Sequence, residues 1–473
     1  MRHLPRGCLL LPGALPPRLD SHPKSLLPLV KCLALLPNSW TRIAFTNNPA
    51  FTELMLLRSS PAPLNMWIPD RWKHNLNEIR NLGLQCRRCH TLSVPHFALF
   101  TILPQFNGST TLKFFKLSGT GGDLEVVPRD LIQSLLRCPV LTHLEISDCV
   151  LSMEKFPAIP TLKTLKLVSL GKQKRGSIKA LHKALSSMPE LEVLELKKVF
   201  HMHPQPSTIL GPRAVLARLK DLKVTNYTIG PISAFLSLIT IPSTAIIAVD
   251  VSGHDVNKEQ ALLEFMPALG TVCDDTRSSI CTAGALKVAA IRLERLASGT
   301  SIRICFWADA TSMEDGEQPE MVLAIPSVPI PFLQAKLQGA FWMTDIRWLS
   351  VDDWVKVDQA EWTSLASLAT LVKITFSGDT SIHAFLLAMS SQDVPLPNPP
   401  PFPALRELAF DYVRFNNPSI PDRILDAIKA RPMAYRLTKL RIKRPQKFRV
   451  DILQRLRELV DVDWEERPIN GIC

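Results

Sequence analysis

The hexapeptide LKTLKL at residues 162–167 returns as LEVLEL at residues 191–196, and further copies of this phrase recur along the chain. Each copy has apolar residues at its first, fourth and sixth positions. The first five copies begin 21 to 29 residues apart, and two more follow near the C-terminus. Their apolar positions are Leu112/Phe115/Leu117, Leu141/Leu144/Ile146, Leu162/Leu165/Leu167, Leu191/Leu194/Leu196, Leu219/Leu222/Val224, Leu405/Leu408/Phe410 and Leu437/Leu440/Ile442.

A phrase repeated at this interval is typical of a leucine-rich repeat, in which each unit supplies one short strand and a returning arm. No single unit can bury its own leucines, so neighbouring units stack into one continuous core. The sequence therefore predicts an α/β leucine-rich-repeat solenoid, with a curved parallel sheet, helical or irregular outer arms and irregular repeats. The chain has 473 residues, and an extended core suits this length because compact cores stop growing at roughly 250–300 residues.

Helical arms are predicted where apolar residues recur three and four positions apart, over residues 130–136, 177–187 and 232–239. A first weak strand is predicted at residues 79–84. Residues 311–320 contain four acids and no base, which indicates an acidic loop insertion. The connections between strands are therefore expected to be helical in some repeats and irregular in others.

The chain divides into four predicted segments. Residues 1–39 form an irregular N-terminus, and residues 40–75 form a linker unit before the repeats. The solenoid occupies residues 76–465, with a degenerate middle at residues 245–365. β-branched residues favour strands within that middle. A short tail, residues 466–473, ends the chain.

The net charge is +12, and it is spread unevenly. The stretch 431–449 holds eight basic residues and no acid. Such a stretch can attract an acidic partner or nucleic acid, but no aromatic–basic pattern of a nucleic-acid module accompanies it. We therefore expect a solvated surface and no nucleic-acid partner.

Ten cysteines are scattered along the chain without a dense framework. In a chain of this length they indicate reduced, mostly buried thiols. No uninterrupted apolar run reaches the roughly 18 residues expected of a membrane span. We therefore expect a location in the cytoplasm and/or the nucleus, and no membrane partner.

A tryptophan-containing strand at residues 40–43 precedes the phrase ELMLLRSSPAPL at residues 53–64. With FPALREL at residues 402–408 and the ending at residues 453–464, these segments resemble the F-box/leucine-rich-repeat proteins expanded in mushroom-forming fungi. The resemblance implies the substrate-recognition subunit of a cullin-type (SCF) ubiquitin ligase. In such a subunit the repeats hold a protein target, and the F-box docks on the adaptor subunit of the ligase.

The F-box itself should precede Trp40, but residues 1–39 depart from its pattern. They lack its acids, its helical period and its Cys-Arg-x-Trp-like ending. We therefore expect the F-box region to be lost or truncated. A non-ligase interaction scaffold that has lost the F-box is the alternative.

The sequence CRRCH at residues 86–90 has the spacing that attaches a c-type haem. A haem or metal protein that uses Cys86, Cys89 and His90 is a remote alternative, since zinc would need a fourth ligand. No phosphate-binding loop and no nucleophile-elbow motif occur. We expect no cofactor, no metal site and no catalytic residue, so the chain is not expected to be an enzyme.

Candidate binding residues come from the alternation of side chains along a strand, which turns the residues between the core positions toward the concave face. The residues at the fifth position of the phrase form one outward column, and their charge alternates from strand to strand. The residues at the third position form a neighbouring column of apolar, polar and charged side chains. Strands lie ~4.8 Å apart, so each charge should face an opposite one. We predict protein contacts on this face, although a charge ladder that only stabilises the stack explains the pattern equally well. The candidates are Phe114, Lys116, His143, Glu145, Lys166, Glu195, Asp221 and Lys223.

Overall fold

The computed structural model describes residues 41–43, 49–69, 76–106, 108–119, 125–152, 154, 156–170, 178–200, 212–242, 244–251, 265, 268, 290–295, 301–307, 310–319, 321–326, 346–353, 355–390 and 400–465. The predicted N-terminal segment 1–39 and the tail 466–473 lie outside these residues.

Nineteen strands occur in the described residues, and most are short. They are β1 (Arg42–Ile43), β2 (Leu64–Trp67), β3 (Cys89–Pro95), β4 (Phe114–Ser118), β5 (His143–Ser147), β6 (Thr164–Val168), β7 (Val193–Lys197), β8 (Ala214–Val215), β9 (Asp221–Asn226), β10 (Ile239–Thr240), β11 (Ile246–Val251), β12 (Ala290–Arg295), β13 (Ser301–Trp307), β14 (Met321–Pro326), β15 (Trp348–Asp352), β16 (Lys373–Ser377), β17 (Glu407–Asp411), β18 (Lys439–Lys443) and β19 (Asp461–Glu465).

Eleven α-helices lie between these strands in the part of the chain that the structure describes. They are α1 (Pro49–Arg58), α2 (Leu76–Gly83), α3 (His96–Ile102), α4 (Arg129–Leu136), α5 (Ile178–Leu185), α6 (Ile229–Leu236), α7 (Ala310–Glu314), α8 (Gln359–Leu365), α9 (Ile382–Ser390), α10 (Ser419–Ala430) and α11 (Val450–Arg457). Of these helices, none has the length and apolar character needed to cross a membrane.

Seventeen of the described strands form one sheet, and β8 and β10 pair separately. The leucine phrases supply β4–β7, β9, β17 and β18, which pair in parallel with their leucines in register. Leu144 lies beside Leu165, for example, and Leu165 lies beside Leu194. The predicted leucine-rich-repeat-type solenoid is thus confirmed as the fold class. Strands β1 and β2, from the predicted linker unit 40–75, join the same sheet ahead of β3.

The sheet departs from parallel order only within the predicted degenerate middle, as far as the described residues show. Here β13 is antiparallel to both β12 and β14, and the spatial order is β11–β14–β13–β12–β15. Only residues 296–300 connect β12 to β13. A parallel pairing needs a crossover of about a dozen residues or more, so this short connection requires a reversal of direction.

Two local predictions are corrected. Residues 79–84, predicted as a weak strand, belong mainly to helix α2. Ile79 and Leu82 are both buried, and their spacing of three residues fits one face of a helix. The helix predicted at residues 232–239 begins earlier, as α6 at Ile229, and Ile239 starts strand β10.

The core lies between the inward side chains of the sheet and the helices, and it runs as one cluster from Met55 to Val460. Neighbouring helices also pack on one another, as α8, α9, α10 and α11 do in turn. Each repeat therefore buries its leucines against the units before and after it.

Each of five strands is followed by a non-glycine residue in the left-handed region, with φ between 50° and 58°. This conformation costs an L-residue about 1–2 kcal/mol. It is offset because each of these residues donates its backbone N–H to a carbonyl oxygen of the next strand, at 2.6–3.0 Å. The five residues are Asp148, Ser169, Lys198, Tyr412 and Arg444.

After β4 the corresponding residue is a glycine, because a side chain there would collide with the segment that follows β5. A Cβ atom on Gly119 would lie 1.9 Å from the carbonyl oxygen of Asp148. The backbone N–H of Gly119 donates to the carbonyl oxygen of Ser147 at 2.8 Å. The glycine therefore allows the chain to leave the sheet while the ladder of hydrogen bonds continues.

Candidate protein-binding face

The side chains that alternate with the core residues form what we call the sheet face, which lies opposite the helices. In β4 to β7 the second and fourth residues are buried, and the other three are accessible. All eight predicted contacts lie on this face, in β4–β7 and β9. The register sets Phe114 beside His143 and Lys116 beside Glu145.

In the column whose charge alternates, each residue lies in register with a residue of opposite charge on the next strand, across all five strands. The Nζ of Lys116 lies 2.6 Å from Oε1 of Glu145, and the Nζ of Lys166 lies 3.4 Å from Oε2 of Glu195. Exposed pairs of this kind contribute about 0.2–1 kcal/mol each. The ladder therefore favours one register without contributing much to the stability of the fold.

The last member of the ladder, Lys223, bonds within its own strand. Its Nζ donates to Oδ2 of Asp221 at 2.8 Å. This hydrogen bond raises the pKa of Lys223, and the charge of Glu195 adds to the effect. The ladder therefore ends in a pair that includes Asp221, a predicted contact from the neighbouring column.

A further set of charges lies directly before the strands and was not among the predicted contacts. Glu192 accepts hydrogen bonds from Lys220, at 2.6 Å, and its carboxylate lies 3.3 Å from Nζ of Lys163. The two lysines lower the pKa of Glu192. The signal was present in the sequence, since the second position of the phrase reads Lys163, Glu192 and Lys220 in successive repeats.

His143 is an uncharged member of the sheet face. Its ring lies 5.9 Å from the ring of Phe114, measured between centroids, and the Thr142 hydroxyl lies 3.0 Å from Nδ1. Burial lowers the pKa of His143 and outweighs the carboxylate of Glu192, which raises it. The imidazole is therefore neutral at neutral pH, and this part of the face offers an aromatic surface.

Trp67 is a candidate contact that was missed at the level of sequence. It ends β2, lies in register with Ser93, and through Ser93 aligns with Lys116. Its side chain is 71% exposed, although tryptophan is highly buried on average. Alternation from the apolar residues Leu64 and Met66 could have placed Trp67 outward.

Part of the basic stretch 431–449 lies in strand β18, whose bases face acids of the next strand. Lys439, Arg441 and Lys443 of β18 lie in register with three acids of β19. The guanidinium of Arg441 lies 3.2 Å from Asp463, and Nζ of Lys443 lies 3.7 Å from Glu465. The outward bases of β18 therefore each lie beside an acid of the next strand, as in the N-terminal ladder.

The CRRCH sequence does not fit haem attachment. Cys86 and Cys89 are fully buried, and their thiols donate to the carbonyl oxygens of Leu82 and Gln85 at 3.7 and 3.6 Å. A hydrogen bond with Cys86 and burial raise the pKa of Cys89, which disfavours the reactive thiolate. Nor does the described part of the chain bring together three or more His, Cys, Asp or Glu residues that could hold a metal ion.

Arg88, inside the same sequence, has a structural role. Its guanidinium donates to the carbonyl oxygens of Leu56, Ser59 and Ala62 at 2.9–3.2 Å. These oxygens lie at the end of α1 and in the turn that follows. Arg88 therefore ties the segment that carries β1 and β2 to the first repeats.

No protein-family model matches the chain, and no curated protein matches it. Among solved structures, a chain in the crystal structure of the Rad7 and Elc1 complex in yeast aligns over 96% of this chain and 97% of its own length, with 13% identity and a TM-score of 0.29. A match with so low a TM-score does not indicate the function of this chain.

Proposed function

We propose that this chain binds a protein target through the sheet face of β2–β7 and β9. The observation that carries the proposal is Trp67, an exposed tryptophan on the same face of the sheet, two strands away from Lys116 and the Phe114–His143 pair. Tryptophan and tyrosine dominate protein-binding hot spots, because they bury a large surface on contact. The role of the chain is to position a target, and no chemical step is assigned to it.

Replacing Trp67 with alanine should weaken target binding by about 2 kcal/mol, or roughly 30-fold in Kd. The partner is first identified by affinity purification with the full chain, and Kd is then measured with both purified proteins. Leu57→Ala is the matched control, since Leu57 is 74% exposed but lies on helix α1. Wild-type affinity for Trp67→Ala in a folded protein would contradict the proposal.

Inverting the ladder separates recognition from a purely structural role. The variant carries Lys116→Glu, Glu145→Lys, Lys166→Glu, Glu195→Lys, Asp221→Lys and Lys223→Glu, so all of its ion pairs are kept with opposite signs. We expect its free energy of unfolding to stay within about 1 kcal/mol of wild type. Target affinity should fall by about tenfold or more, because the charge pattern presented to the target is reversed. Unchanged affinity would assign the ladder to stability alone.

The finer proposal is that the target is presented to a cullin-type ubiquitin ligase. Its support is the resemblance of residues 40–64 and 402–408 to F-box/leucine-rich-repeat proteins. Co-purification of the tagged chain with the ligase adaptor subunit tests it, with a version that starts at Trp40 as the control. Capture by the full chain alone supports a ligase receptor. No capture by either version supports a non-ligase scaffold.

A further inference from the structure

The sheet face is accessible in its first half but covered in part of its second half. Cys305, Trp307, Met313 and Trp348 form a small apolar cluster there, with Val322 packed against it. Ile304 and Phe306, which alternate with Cys305 and Trp307, belong to the main core instead. The small cluster therefore lies on the opposite side of the sheet from the main core.

Residues 310–319, which we call the strap, cover this cluster. The strap consists of α7 and a turn in which Gly316 has a φ of 75°. It belongs to the connection between the antiparallel strands β13 and β14, which spans residues 308–320. Hairpin connections usually have about 2–5 residues. The strap is therefore longer than the topology of the sheet requires.

The strap contacts the sheet face through two adjacent side chains. Met313 is 2% exposed and fills the apolar cluster. Oε1 of Glu314 accepts hydrogen bonds from Nζ of Lys373 at 2.9 Å and from Nη1 of Arg441 at 3.3 Å. An apolar side chain followed by a carboxylate thus occupies a site of matching chemistry.

The residues that receive Glu314 are fixed in place by the sheet. Nζ of Lys373 lies 3.9 Å from the centre of the Trp348 ring and 3.3 Å from Oε1 of Glu407. Trp348 in turn donates its indole N–H to the Thr375 hydroxyl at 2.9 Å. The side chain of Lys373 is only 11% exposed, whereas that of Lys116 in the N-terminal ladder is 37% exposed. The cation is therefore preorganised to bind a carboxylate.

The rest of the strap is attached weakly. The indole N–H of Trp307 donates to the carbonyl oxygen of Glu317 at 3.1 Å. Met313 is the one buried residue among residues 311–319, and most of the others are exposed. A segment with one buried side chain and mostly exposed neighbours can detach while the sheet stays folded.

We propose that Trp348, Lys373 and Arg441 form a second peptide-recognition site, for which the strap is an internal ligand. The site takes a segment of a protein partner that presents an apolar side chain followed by a carboxylate, and this segment displaces Met313 and Glu314. The inference rests on the proposed protein-binding function, but it concerns a different part of the sheet face.

The test uses a strap variant of the full chain, Met313→Ser with Glu314→Gln. The probe is a synthetic peptide of residues 310–319, and the control peptide carries the same two substitutions. The readout is the rate of maleimide labelling of Cys305, a free, buried thiol in the apolar cluster. Labelling of Cys149, a free, buried thiol near the end of β5, reports global unfolding in the same sample.

We expect Cys305 in the strap variant to label at least about tenfold faster than in wild type, because the strap opens more often. The probe peptide should slow that labelling, and the control peptide should not. Lys373→Met added to the strap variant should abolish the protection. Cys149 should label at the wild-type rate throughout.

An unchanged Cys305 rate in the strap variant would overturn the proposal, as would a failure of the probe peptide to protect Cys305. Equal protection by both peptides would also overturn it. The experiment uses no external target, so its failure leaves the Trp67 face untouched. The Trp67→Ala measurement likewise does not depend on the strap.

Discussion

Replacing Trp362 with alanine should lower the free energy of unfolding by about 3–5 kcal/mol, the usual cost of removing a buried large aromatic side chain. Trp362 lies in helix α8 and is 0% exposed. Its ring lies 5.0 Å from Phe385, 5.6 Å from Phe376 and 6.2 Å from Phe402, measured between centroids. The substitution therefore removes the centre of an aromatic cluster.

The position of these aromatic partners explains why the loss of stability in Trp362→Ala should lie near the upper end of that range. Phe376 belongs to β16, Phe385 to α9, and Phe402 precedes β17. Trp362 thus contacts residues of successive repeats. In a solenoid the stability depends on contacts between neighbouring repeats, so the loss weakens an interface as well as a local core.

Trp362→Phe is the matched control. The indole Nε1 of Trp362 is buried and has no hydrogen-bond partner among the described residues. Phenylalanine removes this unsatisfied donor and keeps an aromatic ring, so its cost should stay below about 1.5 kcal/mol. Urea denaturation followed by circular dichroism measures both variants. The explanation fails if Trp362→Phe is as unstable as Trp362→Ala.

The leucine phrases made the regular strands predictable, because each phrase shows which residues enter the core and which face outward. Leu194 and Leu196 had to point inward, so Glu195 had to point outward. The same reasoning breaks down where the phrase is absent. Strands β12–β14 have no leucine phrase, and their antiparallel order follows from the short connection at residues 296–300 rather than from any periodicity.

Short apolar runs were ambiguous for a related reason. Ile79, Leu82 and Leu84 have spacings of three and two, which fit a helix at one step and a strand at the next. Burial of Ile79 and Leu82 in the stack selects the helix. Tertiary packing therefore determined that this segment is a helix. A run of six residues contains too few periods to distinguish a helix from a strand.

The candidate site likewise has one part that the sequence predicts and another part that it does not. The charge ladder could be read from adjacent repeats, because each contact joins neighbouring strands. The strap was predicted as an acidic loop, but its contacts join Glu314 to Lys373 and to Arg441, 59 and 127 residues away. Such contacts depend on the path of the chain across the sheet, which no local pattern specifies.

Arg431 is a charged residue whose role could not be predicted from composition, because the fold buries it. It belongs to the basic stretch predicted as solvated surface, yet it is 4% exposed. Its guanidinium donates to the carbonyl oxygens of Tyr435, Pro401 and Phe402 at 2.7, 3.0 and 2.8 Å. The side chain therefore holds the end of α10 against the segment that precedes β17.

We expect Arg431→Met to lower the free energy of unfolding by about 3 kcal/mol, because hydrogen bonds from a charged group contribute about 1.5–3 kcal/mol each and the burial of the charge offsets part of their sum. Methionine keeps the apolar stem but leaves three carbonyl oxygens without their donor. Arg436→Met, an exposed change five residues later, is the control and should stay within about 0.5 kcal/mol of wild type.

The pH dependence distinguishes this explanation from a simple loss of packing. Burial lowers the pKa of Arg431 to about 10, well below the ordinary value for arginine. Since the folded-state pKa is the lower one, the cost of burying the charge is constant below about 10 and declines as the pH rises toward the ordinary value. The difference between wild type and Arg431→Met should therefore be flat across neutral pH in urea denaturation, with wild type gaining stability relative to the variant only in strong alkali. A difference that varies around neutrality, or equal losses for Arg431→Met and Arg436→Met, would contradict the buried-cation role.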